Sequence, residues 1–278
     1  MRGTNLDYKA AMTHWLETDS SSWRLLLWLG TFMLMAALER TLPRRDEPMR
    51  RSLRWPANLG LVITSSGIAA LLPFTALMAA LWAQQQHLGL LNLIALPTAL
   101  SVILGWLLLD AAIYWQHRWM HVIPMLWRLH RVHHSDTAFD TSTALRFHPA
   151  EIVLSIVYKG AVILALGAPP LAVFVFEVLL SGVALFNHAN LRLRGDAWLR
   201  RVIVTPDMHR IHHSVHRVET DSNYANVLSL WDRLFHSYTS APRDGQTTMQ
   251  IGLAEFREEP QQKLPALLRQ PLQSLRAG

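Results

Sequence analysis

The residues best able to do chemistry in this sequence are histidines, and their spacing is specific. His130-Arg131-Val132-His133-His134-Ser135 recurs as His209-Arg210-Ile211-His212-His213-Ser214, and His117 and His121 precede the first copy. Histidines at i, i+3 and i+4 share one face of an α-helix, so each copy presents three imidazoles together and the earlier pair presents two. Eight of the chain's 14 histidines fall into these three pieces. Neutral imidazole is the commonest metal-binding side chain. Crowding eight rings without a metal would leave polar nitrogens unpartnered near lipid and would repel as soon as two were protonated. Eight donors exceed what one ion uses, so the spacing points to a two-metal site. His14, His87 and His236 stand alone and are read as ordinary core or surface residues.

The remaining composition says what must hold such a site. Cysteine is absent, which excludes disulfides, thiolate metal sites and a cysteine nucleophile and leaves nitrogen and oxygen as donors. A hydrophobic content of 51%, only 17% charged residues and a mean hydropathy of +0.16 indicate several membrane segments. The net charge of +6 and pI near 10.1 sit beside apolar runs, where basic residues fix membrane topology, so nucleic acid is not expected as a partner.

The polar segment 1–22 carries no signal-peptide pattern, and transmembrane helices are expected over 23–109. Trp23 to Leu38 is the first apolar run, extendable to Leu42 if Glu39 and Arg40 snorkel. The arginine-rich stretch Arg40 to Trp55 is expected on the cytoplasmic side. Leu59 to Trp82 is free of charge and long enough for one crossing, and Leu90 to Trp115 returns with a kink expected at Pro97. The two runs either side of Pro169-Pro170 read as a membrane hairpin over 152–186. Counting crossings puts every clustered histidine on one face, within the region 110–238, followed by a tail at 239–278 in which Leu264 to Leu275 reads as a short amphipathic helix. The fold class expected is all-α: a multi-span helical membrane bundle with a cytoplasmic histidine-rich di-metal cap.

The run from Asp110 to Tyr238 resembles the fatty acid hydroxylase and sterol desaturase superfamily of membrane di-metal proteins. The resemblance rests on HxxxH, HxxHH and a later HxxHH, and on flanks such as Arg146-Phe147-His148-Pro149 with Glu151, Asn187-His188-Ala189-Asn190, Asn223-Tyr224 and Trp231-Asp232-Arg233-Leu234-Phe235. It implies metal ligation by His117, His121, His130, His133, His134, His188, His209, His212 and His213. Some relatives carry a further histidine four positions after the one matched by His188; Arg192 stands there, leaving His148 or His216 as possible replacements. His148 and Asp110 are expected behind the ligands, Asp110 orienting a ligand imidazole.

Imidazole suits both iron and zinc. The resemblance favours two iron ions with O2 as co-substrate, zinc being able to replace iron in purified samples. The implied reaction is hydroxylation of a lipid C–H bond, with desaturation of a sterol or lipid, or carotenoid hydroxylation, as alternatives at the same site. A metal transporter or a structural zinc protein are readings of a different class. No dinucleotide fingerprint or phosphate loop is present, so electrons are expected from a separate donor, a ferredoxin or a b-type cytochrome with its reductase. Arg118, Arg131 and Arg210 could bind a lipid headgroup or anchor the protein to anionic lipid. Glu177, a carboxylate within the hairpin, has no role on this reading.

Overall fold

The structure is a computed structural model that describes residues 18, 20–47 and 49–274. The expected polar segment at 1–22 lies almost wholly outside the described residues, as do His14 and Leu275. The described chain is all helical apart from isolated β-bridges. Four helices are long and apolar enough to cross a membrane: α1 (Ser20–Thr41), α5 (Thr98–Val122), α7 (Pro149–Leu166) and α8 (Pro170–Asn187). At 1.5 Å per residue even the 18-residue helices rise about 27 Å, close to the thickness of a bilayer core.

The expected single crossing over Leu59 to Trp82 does not form. The chain instead makes α2 (Arg51–Ala69) and α3 (Ala76–Gln85), separated by a turn at Pro73, with the Thr75 side chain capping α3 by accepting from the Met78 amide at 3.1 Å. A proline removes a donor and disfavours helix in the residue before it, and Thr75 then offers a ready new start. The two pieces run alongside α7: Arg54 at the start of α2 lies among the histidine-bearing segments, Phe74 packs on Gly160 midway along α7, and Gly89 beyond α3 reaches the far end of α7. There Gly89 (φ 89°) and Gly167 (φ 62°) meet backbone to backbone, and a Cβ on Gly89 would stand 2.0 Å from the Gly167 nitrogen.

Pro97 does not kink a helix. After the single turn of α4 (Leu90–Leu93) it precedes α5, which runs 25 residues without interruption and carries both His117 and His121 at its end. Prolines also occupy the first position of α6 (Pro124–His134), α7 and α8, where the missing amide costs nothing. The expected hairpin is present as α7 and α8. The core between them and the lipid-crossing α5 is formed by Ala80, Leu109, Ile113, Ile163, Val173 and Phe176.

Beyond the membrane helices lies a polar layer with short helices α9 (Asp196–Leu199), α10 (Pro206–His212), α11 (Arg217–Thr220), α12 (Leu230–Leu234) and α13 (Leu264–Arg269). Its arginines are structural. Arg54 is fully buried, placing Nε and Nη2 each 2.6 Å from a carboxylate oxygen of Asp136 and Nη1 2.8 Å from Asp140. Burial alone would raise the Asp136 carboxyl, but Arg54 and Arg146 outweigh it and hold it down at about 2. Glu39 does not snorkel; it turns inward, accepting from the amides of Thr141 and Asn190 and pairing with Arg51. Arg131 and Arg210 are likewise unavailable to lipid: Arg131 donates to the carbonyls of Gln270 and Gln273, and Arg210 to Asp207 and Gln246. The tail is therefore more than a chain end. Gln262 and Gln270 bond to Arg146 and Ser135 beside the first histidine repeat, and the expected amphipathic helix shortens to α13 followed by a 3-10 turn at Pro271.

Candidate metal centre

The nine histidines expected as ligands come together. The ring nitrogens of His117, His121, His130, His134 and His212 form one group and those of His133, His188, His209 and His213 a second, each within 4.8 Å internally and every residue buried. α5 supplies His117 and His121, α6 supplies His130, His133 and His134, α8 ends at His188, and α10 supplies His209 and His212 with His213 at its cap. The i, i+3, i+4 spacing divides each repeat. His130 and His134 join the five-ring group and His133 the other, whereas in the second copy His212 joins the five-ring group and His209 and His213 the other.

Hydrogen bonds settle which nitrogen of several rings carries the proton. The carbonyls of Tyr224, Ser222 and Ala184 accept from Nδ1 of His117 (2.7 Å), His212 (2.6 Å) and His188 (2.8 Å), and the Glu151 carboxylate stands 2.7 Å from Nδ1 of His130. A carbonyl only accepts, so these Nδ1 atoms are protonated and the corresponding neutral rings have a bare lone pair at Nε2. In the five-ring group those lone pairs face each other, His117 Nε2 lying 3.1 Å from Nε2 of both His130 and His212; in the four-ring group the His188 lone pair lies 3.1 Å from Nε2 of both His133 and His209, whose tautomers no Nδ1 partner fixes. Apposed lone pairs repel unless a cation sits between them. Nitrogens bound about 2.1 Å from a common ion lie roughly 3.0–3.4 Å apart, so the spacing fits shared ligation. His121 Nε2, Nδ1 of His133 and His209, and both nitrogens of His213 are buried without a partner among the described residues.

Electrostatics agree with neutral rings. Burial first, and then neighbouring histidines, push His133, His134, His209 and His213 well below the usual range, while burial lowers His188 to about 4 and His212 to about 3. Neutral imidazole is the form that binds a metal.

The other expected site residues lie elsewhere. His148 caps α7, accepting from the Ala150 amide at Nδ1 and lying 3.2 Å from the Leu268 carbonyl at Nε2, so both nitrogens are occupied. His216 pairs with Asp244 at 2.6 Å, partly exposed. Neither replaces the missing histidine at Arg192. Asp110 touches no ligand ring. It accepts from the Trp231 indole at 2.7 Å and the Leu228 amide at 3.1 Å, pinning the loop that carries Tyr224. The carboxylates that do reach ligand rings are Glu151, on His130, and Asp221, 3.3 Å from His121 Nδ1. Glu151 is 21 residues from His130, a separation with no periodic signal in the sequence, and backbone carbonyls leave none at all.

A cavity of about 330 Å³ adjoins the histidines, reaching His117, His130, His133, His188 and His209 between α1, α5, α7 and α8. Phe147 lines it and stacks on the His133 ring at 4.3 Å and 11°.

Fold and site define an all-helical membrane protein with a buried polyhistidine metal-binding centre. Residues 102–237 match the family described as fatty acid hydroxylase, and that segment bears every clustered histidine. Ornithine lipid hydroxylase of Rhizobium tropici is 28% identical over 236 residues, covering 82% of this chain and 71% of that protein. Human alkylglycerol monooxygenase is 34% identical over 132 residues (46% of this chain, 28% of that protein), and mouse cholesterol 25-hydroxylase is 26% identical over 150 (51% and 47%). The chain thus spans less than half of the latter two. No solved structure matches it. Relatives that are lipid hydroxylases and monooxygenases, with the histidine groups, indicate a metal-dependent oxidoreductase of the membrane.

Proposed function

We propose that the protein hydroxylates a C–H bond of a membrane lipid, using O2 at two iron ions held by the nine clustered histidines. The observation that carries this is the convergence of nine buried imidazoles in two adjacent groups at the wall of a cavity between membrane helices, with bare Nε2 lone pairs apposed in the five-ring group. Bound iron would supply O2 activation and removal of hydrogen from an unactivated carbon. One oxygen atom enters the product and the other leaves as water, which requires two protons from solvent and two electrons from a separate donor such as a ferredoxin or b-type cytochrome.

The chain's own residues position and shield. Ile113, Met120 and Leu180 give the cavity an apolar wall that can seat a hydrocarbon chain and exclude water. Glu151 keeps the proton of His130 on Nδ1 and its lone pair toward the cation, and the carbonyls of Tyr224, Ser222 and Ala184 do the same for three other rings. Five of nine rings border the cavity, which favours an open catalytic centre over closed structural zinc sites. The arginine-rich stretch between α1 and α2 supports a cytoplasmic position for the centre.

Anaerobic iron loading of the purified full chain should give about two equivalents, and lipid extracts of cells with and without the gene should differ by a species one oxygen heavier. A species lighter by two hydrogens would point to desaturation. Failure to bind iron, with no altered lipid, would overturn the proposal.

A further inference from the structure

The cavity has a second end, and it is charged. Arg24 of α1 places Nη1 2.8 Å from Oε2 of Glu177 on α8, and Lys159 of α7 places Nζ 3.4 Å from Oε1 of the same carboxylate. All three line the cavity together with the histidines. Glu177 precedes His188 by eleven residues of one helix, a rise of roughly 16 Å, so the charged cluster lies deep among the membrane helices and nearer their other end. Lys159 and Glu177 are only 16% and 10% exposed.

Two cations share one carboxylate. Among the described residues no second acid pairs with Arg24 or Lys159, so this end of the cavity holds one more cation than carboxylate; the cavity's other acid, Glu151, lies at the histidine end beside His130. An ion pair serving only to neutralise buried charge would need one cation, and a lone surplus charge at membrane depth is costly. Arg24, at 36% exposed, gives this end access from outside the bundle.

We propose that Arg24 and Lys159, spaced by Glu177, bind the anionic end of a chain-bearing substrate, a carboxylate or phosphate, while its hydrocarbon runs toward the histidines. This rests on the lipid-hydroxylase reading and adds two constraints to it. The substrate carries a negative group, and oxidation falls well along the chain from that group rather than on it. The substrate's head sits toward the end of the helices opposite the histidines. Glu177 competes with the substrate's anionic group for the two cations.

The test is binding of simple amphiphiles to the full-length protein in neutral detergent, read by native mass spectrometry, with no metal or turnover required. Dodecanoate, dodecyl phosphate and dodecanol share one chain length, and the two acids separate carboxylate from phosphate recognition. At least one acid should be retained more than dodecanol, and Arg24→Gln or Lys159→Gln should lower that retention roughly ten- to a hundredfold without changing dodecanol. Glu177→Gln should raise it, because both cations are released. Arg24→Lys and Lys159→Arg keep the charge and should retain the acid, which separates lost charge from lost fold. Equal retention of all three amphiphiles, or weaker acid binding by Glu177→Gln, overturns the proposal. Iron stoichiometry of the same samples reports separately on the metal centre.

Discussion

The two histidine groups are built from the same repeated phrase, yet they are held in different ways. In the five-ring group, Nδ1 of His117, His121, His130 and His212 meets the Tyr224 carbonyl, Asp221, Glu151 and the Ser222 carbonyl. In the four-ring group only His188 has such a partner, the Ala184 carbonyl, while Nδ1 of His133, His209 and His213 has none among the described residues. Packing takes over there: Phe147 stacks on His133, and the Phe139 ring lies 5.7 Å from His188 and 5.2 Å from His213. A hydrogen bond from Nδ1 fixes the tautomer and strengthens Nε2 as a donor, whereas an aromatic wall fixes only the ring plane. The five-ring group is therefore the preorganised half, and the four-ring group relies more on the bound cation to stay assembled.

The largest effects should be shared by both halves. His212→Ala in one and His133→Ala in the other should each abolish turnover and cost about one metal equivalent, measured by lipid product and metal analysis. His87→Ala, outside both, should leave turnover unchanged. Survival of activity in His133→Ala would show that the four-ring group is not needed and dissolve the comparison.

Next in size is the clamp under both groups. Arg54→Met leaves Asp136 and Asp140 buried without their cation, and unfolding in detergent should show a loss of about 3–5 kcal/mol. The same clamp sets an acid limit. With its carboxyl held at about 2, Asp136 adds stability that is complete above the ordinary value of 3.8 and disappears as pH falls toward about 2. Unfolding midpoints should drop over that window, and less steeply in Arg54→Met, where the carboxyl keeps Arg146 but loses the partner that lowers it most.

Smaller effects sharpen the difference. Glu151→Gln should weaken metal binding about 10–100-fold in the five-ring group alone, visible as one altered phase of a competition titration. During slow chelation of the wild type, the four-ring group should empty first. Difference spectra in His212→Ala and His133→Ala identify which group each phase reports. Simultaneous release would mean that hydrogen-bonded support does not rank the two.

Legibility in the sequence followed the same division. Helical spacing grouped His130, His133 and His134, and likewise His209, His212 and His213, because residues three and four apart share a helix face wherever the helix sits. Apolar runs marked α1, α5, α7 and α8, since lipid demands them in every membrane protein. The uninterrupted crossing at Leu59 to Trp82 failed because hydropathy does not register a turn at Pro73, after which Thr75 caps a new helix. Asp110 was given an imidazole partner and has an indole instead, while Glu151 holds the imidazole. Both are acids near a histidine box, and only the packing of α7 against α6 distinguishes them.

The sequence by itself thus determined eight of the nine clustered histidines from the period of a helix, the ninth, His188, from resemblance to a family, and the membrane setting from composition. Only the tertiary structure decided how the nine rings divide into five and four and which nitrogens face inward. It also decided that Arg24, Lys159 and Glu177 meet on one cavity wall. Those outcomes depend on how separate helices cross, on backbone carbonyls present at every residue, and on contacts between positions far apart in the chain, none of which leaves a period to read.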